Sequence, residues 1–495
     1  MKKLKFFFTA IGLTLSVLAQ AQTDIDALRY SQTYSGSTAR SLAMGGAFGA
    51  LGADFSVLSI NPAGIGLYRK SEFSFTPGLF RSKTDATYLG RKAEDDKYNV
   101  NVSNLGLVWA KENLVSTSAL KFWAFGIGLN RLNNFNNRSL YEGVNSRNSL
   151  LDFYTQQAQG THPDNLENFP FDANLAYQTF LIDPMPTDSF SYTTAIPFHG
   201  QLQRRSVETR GALDELAVSF GGNINDKFYF GATLGLPFIK YTEEVVYQEI
   251  DVNNTIYNAD STLDFNSFKL NQDIETSGSG INFKFGVLFR PTEWVRIGGA
   301  VHSPTYFYNM HDEYSSSIQS DFANNIHYEY SSPIGVFDYN LTTPFKAIGN
   351  LGFLVLSSGL ISFEYEFIDY SEAKLRSSTD KFFEQNELIR AKYQAASNFR
   401  VGAEWKYMQF ALRGGFGYYG SPFRSKINPS DVDQARMVYS GGIGYREENY
   451  FIDLGYAFSQ QDEFYRPYTL NNQIVEGAKL DRSIHNILLT LGLRF

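Results

Sequence analysis

From about residue 70 onward the chain alternates apolar and polar positions in short runs. At the C-terminus Ile487, Leu489, Leu491, Leu493 and Phe495 share one phase, while Asn486, Thr490, Gly492 and Arg494 occupy the other. A period of two marks a β-strand with one face in an apolar medium. The same alternation predicts strands at 73–80, 99–110, 121–130, 216–221, 228–238, 281–290, 295–301, 347–356, 361–367, 398–405, 409–418, 437–445, 450–458 and 484–495, fourteen in all. The connections come in two lengths. Short turns such as Asn225-Asp226 join one end of each pair, and long polar stretches join the other, the longest being roughly 131–210. That stretch is rich in Asn, Gln, Asp and Ser and reads as a large exposed loop.

An even number of amphipathic strands with short turns on one side and long loops on the other predicts an all-β, 14-stranded antiparallel transmembrane β-barrel. A strand that ends the chain on an aromatic, Phe495, resembles the assembly signal of bacterial outer-membrane barrels, which implies delivery by a barrel-assembly machinery. The other end agrees. Lys2, Lys3 and Lys5, an apolar run from Phe6 to Leu18 and Ala19-Gln20-Ala21 read as a cleavable secretory signal over residues 1–21. Beyond it no run approaches the ~20 apolar residues that a membrane-spanning helix needs. Only helices and closed barrels satisfy every backbone group in lipid, so a membrane role requires the barrel.

Composition sharpens this picture. There are 43 Phe, 31 Tyr and 41 Gly with no Cys, and the mean hydropathy is −0.26, because a barrel alternates rather than accumulates apolar residues. The absence of Cys removes disulfide and thiol chemistry. Loss of the three leader lysines takes the formal charge from −8 to −11, which argues against nucleic acid as a partner. No cofactor motif is present, and the six histidines, His162, His199, His302, His311, His327 and His485, are scattered without a paired spacing.

Lys284, Arg290, Arg296, Glu364, Glu366, Arg400, Glu404, Arg413 and Asp453 all fall on the phase opposite the aromatic residues. A charge facing lipid costs ~2–4 kcal/mol near the midplane, so these side chains are predicted to face the lumen, pairing with one another or with a plug. Residues 22–68 are too glycine-dense for membrane strands and contain the turn signal Asn61-Pro62. A compact segment of this size fits inside a 14-stranded barrel. The predicted organisation is therefore a signal at 1–21, a plug at 22–68 and a barrel over 69–495.

The plug region carries a resemblance. The run Gly36-Ser37-Thr38-Ala39-Arg40-Ser41-Leu42-Ala43-Met44-Gly45-Gly46-Ala47-Phe48, then Asp54, then Asn61-Pro62-Ala63-Gly64, resembles the N-terminal signature of the FadL/TodX family of outer-membrane transporters for hydrophobic compounds. Thr343-Pro344-Phe345-Lys346, the stretch from Phe399 to Trp405, and Leu412-Arg413-Gly414-Gly415 are similar to the family too. The resemblance implies a monomeric barrel in outer-membrane lipid and lipopolysaccharide, closed by an N-terminal hatch with Asn61, Pro62, Ala63 and Gly64 at hatch positions. It also implies passive uptake of hydrophobic small molecules such as long-chain fatty acids, which leave sideways at a kinked third strand. Here Gly126 and Gly128 are the candidate kink. Phe153, Phe169, Phe171, Phe180, Phe190 and Tyr192 could line a capture groove or pack on one another. A general diffusion porin, a haem-binding protein, an adhesin and an outer-membrane hydrolase remain as alternatives. No G-x-S-x-G element supports the last.

Overall fold

The computed structural model describes residues 24–115, 117–253, 264–356, 358–378, 381–424 and 434–495; the leader at 1–21 lies outside them. Among the described residues, fourteen antiparallel staves close into a barrel. In order they are Glu72–Tyr88, Arg91–Glu112, Leu120–Asn134 resuming as Asn137–Asn145, Gln201–Ile224, Phe228–Ile250, Phe265–Thr292, and Val295–His302 continued by Tyr306–Phe322. Then come Gly335–Thr342 continued by Lys346–Val355, Gly359–Asp369, Ala395–Tyr407, Phe410–Tyr419, Arg436–Arg446, Tyr450–Tyr465 and Ala478–Arg494. The last strand pairs with the first, from Phe73 opposite Leu493 to Thr87 opposite Lys479, which closes the barrel. The barrel prediction and its strand count are thus borne out.

The wall obeys the period of two. Phe363, Tyr365, Phe367 and Phe399 are exposed on the outside, while Glu364, Glu366 and Arg400 are buried inside. The short turns need little sequence. Asn225 and Asp226 both take positive φ, 53° and 56°, a backbone that Asn and Asp tolerate best, and the Lys227 N–H donates to the Ile224 carbonyl at 3.1 Å to close this three-residue turn. The strands are longer than the alternation predicts, reaching 28 residues in Phe265–Thr292. A tilted strand needs only ~9–11 residues to span a bilayer, so strands of this length exceed what lipid can impose an apolar face on.

One expectation is corrected. Residues 131–210 are not a structureless loop. They contain the upper third strand, a helix at Leu150–Ala158, another at Ala173–Gln178 and a small hairpin, Ile182–Met185 with Asp188–Thr194. Leu151, Leu166, Leu175, Leu181 and Ile196 form a buried core with Phe265, Phe268, Ile318 and Phe322 from the sixth and seventh strands. It forms a cap over the long-loop end of the barrel. Its helix begins with a capping box, Ser149 and Asp152 satisfying each other's backbone N–H groups.

The cap is fastened through Glu249, whose carboxylate accepts from Ser149 Oγ (2.6 Å), the Leu150 N–H (2.8 Å), Gln203 Nε2 (3.0 Å) and Tyr247 OH (2.7 Å). Burial pushes its pKa up to about 7 against the pull of those donors. A raised acid pKa contributes stability that is full at pH below the ordinary carboxylate range and lost as pH rises through 7. The cap should therefore loosen between pH 5 and pH 8 by up to about 3 kcal/mol. Hydrogen exchange of Leu150–Ala158 measured across that range should show it, and Glu249→Gln should flatten the dependence.

Candidate functional site

The segment 24–68 lies inside the barrel and is almost wholly buried. It consists of a helix at Asp24–Ser31, a short helix at Ala39–Ala43 and two 3-10 turns, Phe55–Ser59 and Pro62–Leu67. Each turn starts on the residue that its chemistry demands. Thr38 Oγ1 accepts from the Ser41 N–H and donates to Asp54, which in turn accepts from the Ser56 N–H. Asn61 caps the last turn through the Ala63 N–H, and Pro62 occupies the first helical position. Met44, Phe48, Phe55, Leu58 and Ile65 then pack against Val108, Ala124 and Ala217 of the wall.

Most of the lumen charges foreseen from the strand phase meet here. Arg40 donates twice to Glu404, both at 2.9 Å, and Glu404 also accepts from Arg413 at 2.6 Å. Arg413 continues to Asp453 at 2.6 Å. Arg400 bridges Glu364 at 2.6 Å and Glu366 at 3.0 Å, and Glu364 receives the Gly49 N–H at 2.9 Å. Lys284 pairs with Glu215 at 2.5 Å, and Glu215 also accepts from Ser59 Oγ at 2.9 Å. Asn61 Nδ2 reaches Asn350 Oδ1 at 2.9 Å, while its neighbours Ala63 and Gly64 are buried beside it. Arg296 donates to the Leu51 carbonyl at 2.6 Å. Arg290 stands apart, half-buried at the short-turn end, where its N–H donates to the Lys227 carbonyl.

Two partners in this layer were not singled out from the sequence. Arg40 sits within the glycine-rich signature, and Glu215 lies one residue before the predicted start of the fourth strand, on its inward phase. Together these contacts fasten the inner segment to strands four, seven, eight, nine and ten. Breaking a buried pair by removing one partner costs ~3–5 kcal/mol, so the attachment is firm yet finite.

No β-bulge occurs at Gly126 or Gly128. The ladder between the second and third strands runs without a shift from Asn104 opposite Asn130 to Glu112 opposite Phe122. The two glycines instead make room. A Cβ on Gly128 would collide with the Leu105 carbonyl and the Phe55 ring, and one on Gly126 would press on Ile65 and Leu58. The departure lies higher. Above Asn130 the third strand leaves the second, passes a register shift between Arg131 and Asn133 on the fourth, breaks at Phe135-Asn136 and resumes paired with the fourth strand alone.

The second strand, by contrast, stays on the first to its tip, Tyr88 opposite Arg91. A stretch of its edge above Asn104 therefore has no ladder partner. Backbone without a ladder partner is tolerated in a barrel wall where it lines a cavity, and this seam lines one. It opens onto a cavity of about 900 Å³ that reaches Asn101, Ser103 and Asn134 at the seam. Leu28, Leu132, Phe135 and Tyr241 give the cavity apolar walls, and Arg131 and Arg205 line it as well. Arg131 is paired with Asp214 at 2.9 Å. Arg205 instead lies 4.0 Å over the Tyr465 ring, with no carboxylate at ion-pair distance among the described residues.

The six aromatic residues of the long insertion do not line this cavity. Phe171 and Tyr192 are buried in the cap, Phe153 and Phe169 pack against its core, Phe180 rests on Tyr328 at 4.6 Å, and Phe190 on His162 at 5.6 Å. Mutual packing is their role. The histidines stay scattered, with His302 Nε2 2.8 Å from the Ile60 carbonyl oxygen, and no group of three or more His, Asp or Glu suited to a metal occurs among the described residues.

Residues 212–494 match the family described as outer membrane protein transport protein (OMPP1/FadL/TodX). The chain belongs to this family. It is an outer-membrane transport protein, and the family resemblance read from the N-terminal signature is borne out. No curated protein matches the chain. Among solved structures, a Pseudomonas aeruginosa FadL homologue is 14% identical with a TM-score of 0.55, covering 94% of this chain and 98% of its own. The Pseudomonas putida toluene transporter TodX is 13% identical, TM-score 0.52, covering 94% and 100%. The Ralstonia pickettii toluene transporter TbuX is 16% identical, TM-score 0.51, again covering 94% and 100%. At these identities the FadL/TodX-type barrel is shared as a fold, and the wall of this family member must be read from its own residues.

Proposed function

We propose that this protein takes up hydrophobic small molecules passively, with the segment 24–68 acting as a hatch and the cargo leaving sideways between the second and third strands. The observation that carries the reading is the cavity of about 900 Å³ that meets the seam while the buried inner segment fills the barrel beneath it. Straight passage is blocked by Arg40, Phe48, Phe55 and Ile65, so an open diffusion porin fits poorly. Lipopolysaccharide and polar loops exclude apolar solutes, and the apolar wall that Leu28, Leu132, Phe135 and Tyr241 give this otherwise polar cavity supplies a path for them. The unpaired Arg205 suits a cargo with an acidic end, as in a long-chain fatty acid. Two of the solved relatives are named toluene transporters, which supports hydrophobic cargo in general.

The test is Asn61→Ala. The hatch turn loses its cap, ~1 kcal/mol, and the link to Asn350. Oleate uptake by cells carrying the variant should change at least threefold while the barrel still assembles and keeps its heat-modifiable mobility on gels. Unchanged uptake would remove the hatch from the transport step.

A further inference from the structure

Above Asn130 the wall between the second and third strands is held by side chains instead of backbone. Ser82 Oγ and Thr84 Oγ1, inward-facing on the first strand, donate to Asn137 Oδ1 at 2.7 and 3.2 Å. Asn134 Nδ2 donates to Asn99 Oδ1 at 3.3 Å. Higher still, Lys97 Nζ donates to Glu208 Oε1 at 2.6 Å and to the Thr209 carbonyl at 3.2 Å. Glu208 also receives Arg138 Nη2 at 2.6 Å and Arg210 Nε at 2.9 Å. The upper third strand thus lies against the first hairpin in an overlap joint, and Val100, the residue after Asn99, is 79% exposed.

We propose that this overlap is a slip joint and that the Lys97–Glu208 ion pair is the clasp that sets the width of the side window beneath it. The inference rests on the reading that cargo leaves through that window. One carboxylate gathers three cations from three strands: Lys97 from the second, Arg138 from the third and Arg210 from the fourth. Its loss leaves like charges facing one another, which pushes the hairpin off the third strand. Below the window the ladder from Asn104 to Glu112 is unaffected, so movement is confined to the upper joint. Lys97 and Glu208 are only 12% and 17% exposed, so their attraction is screened less than that of a surface pair. Burial works against the Glu208 charge, yet Lys97, Arg138 and Arg210 hold its pKa down to about 2. Arg138 and Arg210 are themselves kept charged by Glu208, with Asp95 and Glu244 the other acids facing the cluster. The clasp is therefore indifferent to pH across the physiological range and open to disruption by salt or by mutation.

The chain has no cysteine, so nitroxide labels attach cleanly at Val100→Cys and Val144→Cys. In lipid nanodiscs, pulsed dipolar spectroscopy on this pair should give a narrow distance distribution. Lys97→Gln and Glu208→Gln should each lengthen the mean by at least 5 Å and broaden it, 1 M NaCl should broaden it in the otherwise native protein, and a change from pH 8 to pH 5 should leave it in place. A distribution unmoved by both substitutions would overturn the clasp. The exit reading fails separately: if a cross-link between Cys replacements of Asn99 and Asn134 leaves oleate uptake intact, cargo does not use the window. If the cross-link stops uptake while the clasp variants stay narrow, the window stands and the clasp alone is refuted.

Discussion

Arg40→Ala should convert a closed barrel into one that opens in bursts. Arg40 is the only cation of the inner segment joined to the Glu404–Arg413–Asp453 chain among the described residues, and its guanidinium also lies 4.9 Å from the Phe48 ring. Deleting it removes two charge-assisted hydrogen bonds and leaves Glu404 to Arg413. Because that second cation remains, the cost falls at the low end of the ~3–5 kcal/mol range for breaking a buried pair. A loss of about 3 kcal/mol raises the undocked population of the segment more than a hundredfold. In planar lipid bilayers the unaltered protein should be nearly silent, and the variant should show frequent openings of large conductance. Arg40→Lys, which keeps the charge and loses the fork, should fall between the two. A variant as silent as the parent would mean that the segment is held elsewhere and that this contact does not latch it.

Arg205→Ala should weaken capture of an acidic cargo strongly and of a neutral one little. The guanidinium stands over Tyr465 at the cavity wall without a carboxylate partner, so its donors are free for a ligand. A hydrogen bond to a charged group contributes ~1.5–3 kcal/mol, equivalent to roughly 10- to 100-fold in affinity. Calorimetric titration with oleate in detergent micelles should show that loss, and titration with toluene should show less than a threefold change. Equal losses for both would mean that Arg205 shapes the cavity by packing alone, whereas no loss for either would place the capture site elsewhere.

The sequence makes the wall legible where lipid enforces the pattern. A charge at 364, 366, 400, 404 or 413 cannot face hydrocarbon, so its phase could be read directly, and each of these side chains is buried in the lumen. Beyond the membrane the constraint vanishes. Residues 269–277 continue the sixth strand with polar residues on both faces, and the alternation stops where the lipid does. The cap was missed for a different reason. Leu150, Leu151, Tyr154 and Ala158 carry the helical period, and Ser149 with Asp152 gives a start signal, but nine residues are too few to stand out in a polar stretch.

No bulge forms at the two glycines of the third strand, because glycine has two uses. At Gly126 and Gly128 the missing side chain admits Phe55, Leu58 and Ile65, whereas the strand actually parts at Asn130–Asn137. That departure is a matter of which neighbour each strand keeps, which alternation along a single strand does not encode. Arg40 and Glu404, 364 residues apart, could be assigned as partners only once the segment was seated in the lumen.

A Cys pair at positions 99 and 134 spans the seam where the native asparagines hydrogen-bond at 3.3 Å, and the cysteine-free background makes any thiol effect attributable to it. Closing the pair with a short bis-methanethiosulfonate, which forms a disulfide to each Cys and releases methanesulfinate, should cut oleate uptake by intact cells at least tenfold, and reduction should restore it. Uptake that continues at the uncross-linked rate would contradict lateral exit and return the path to the lumen.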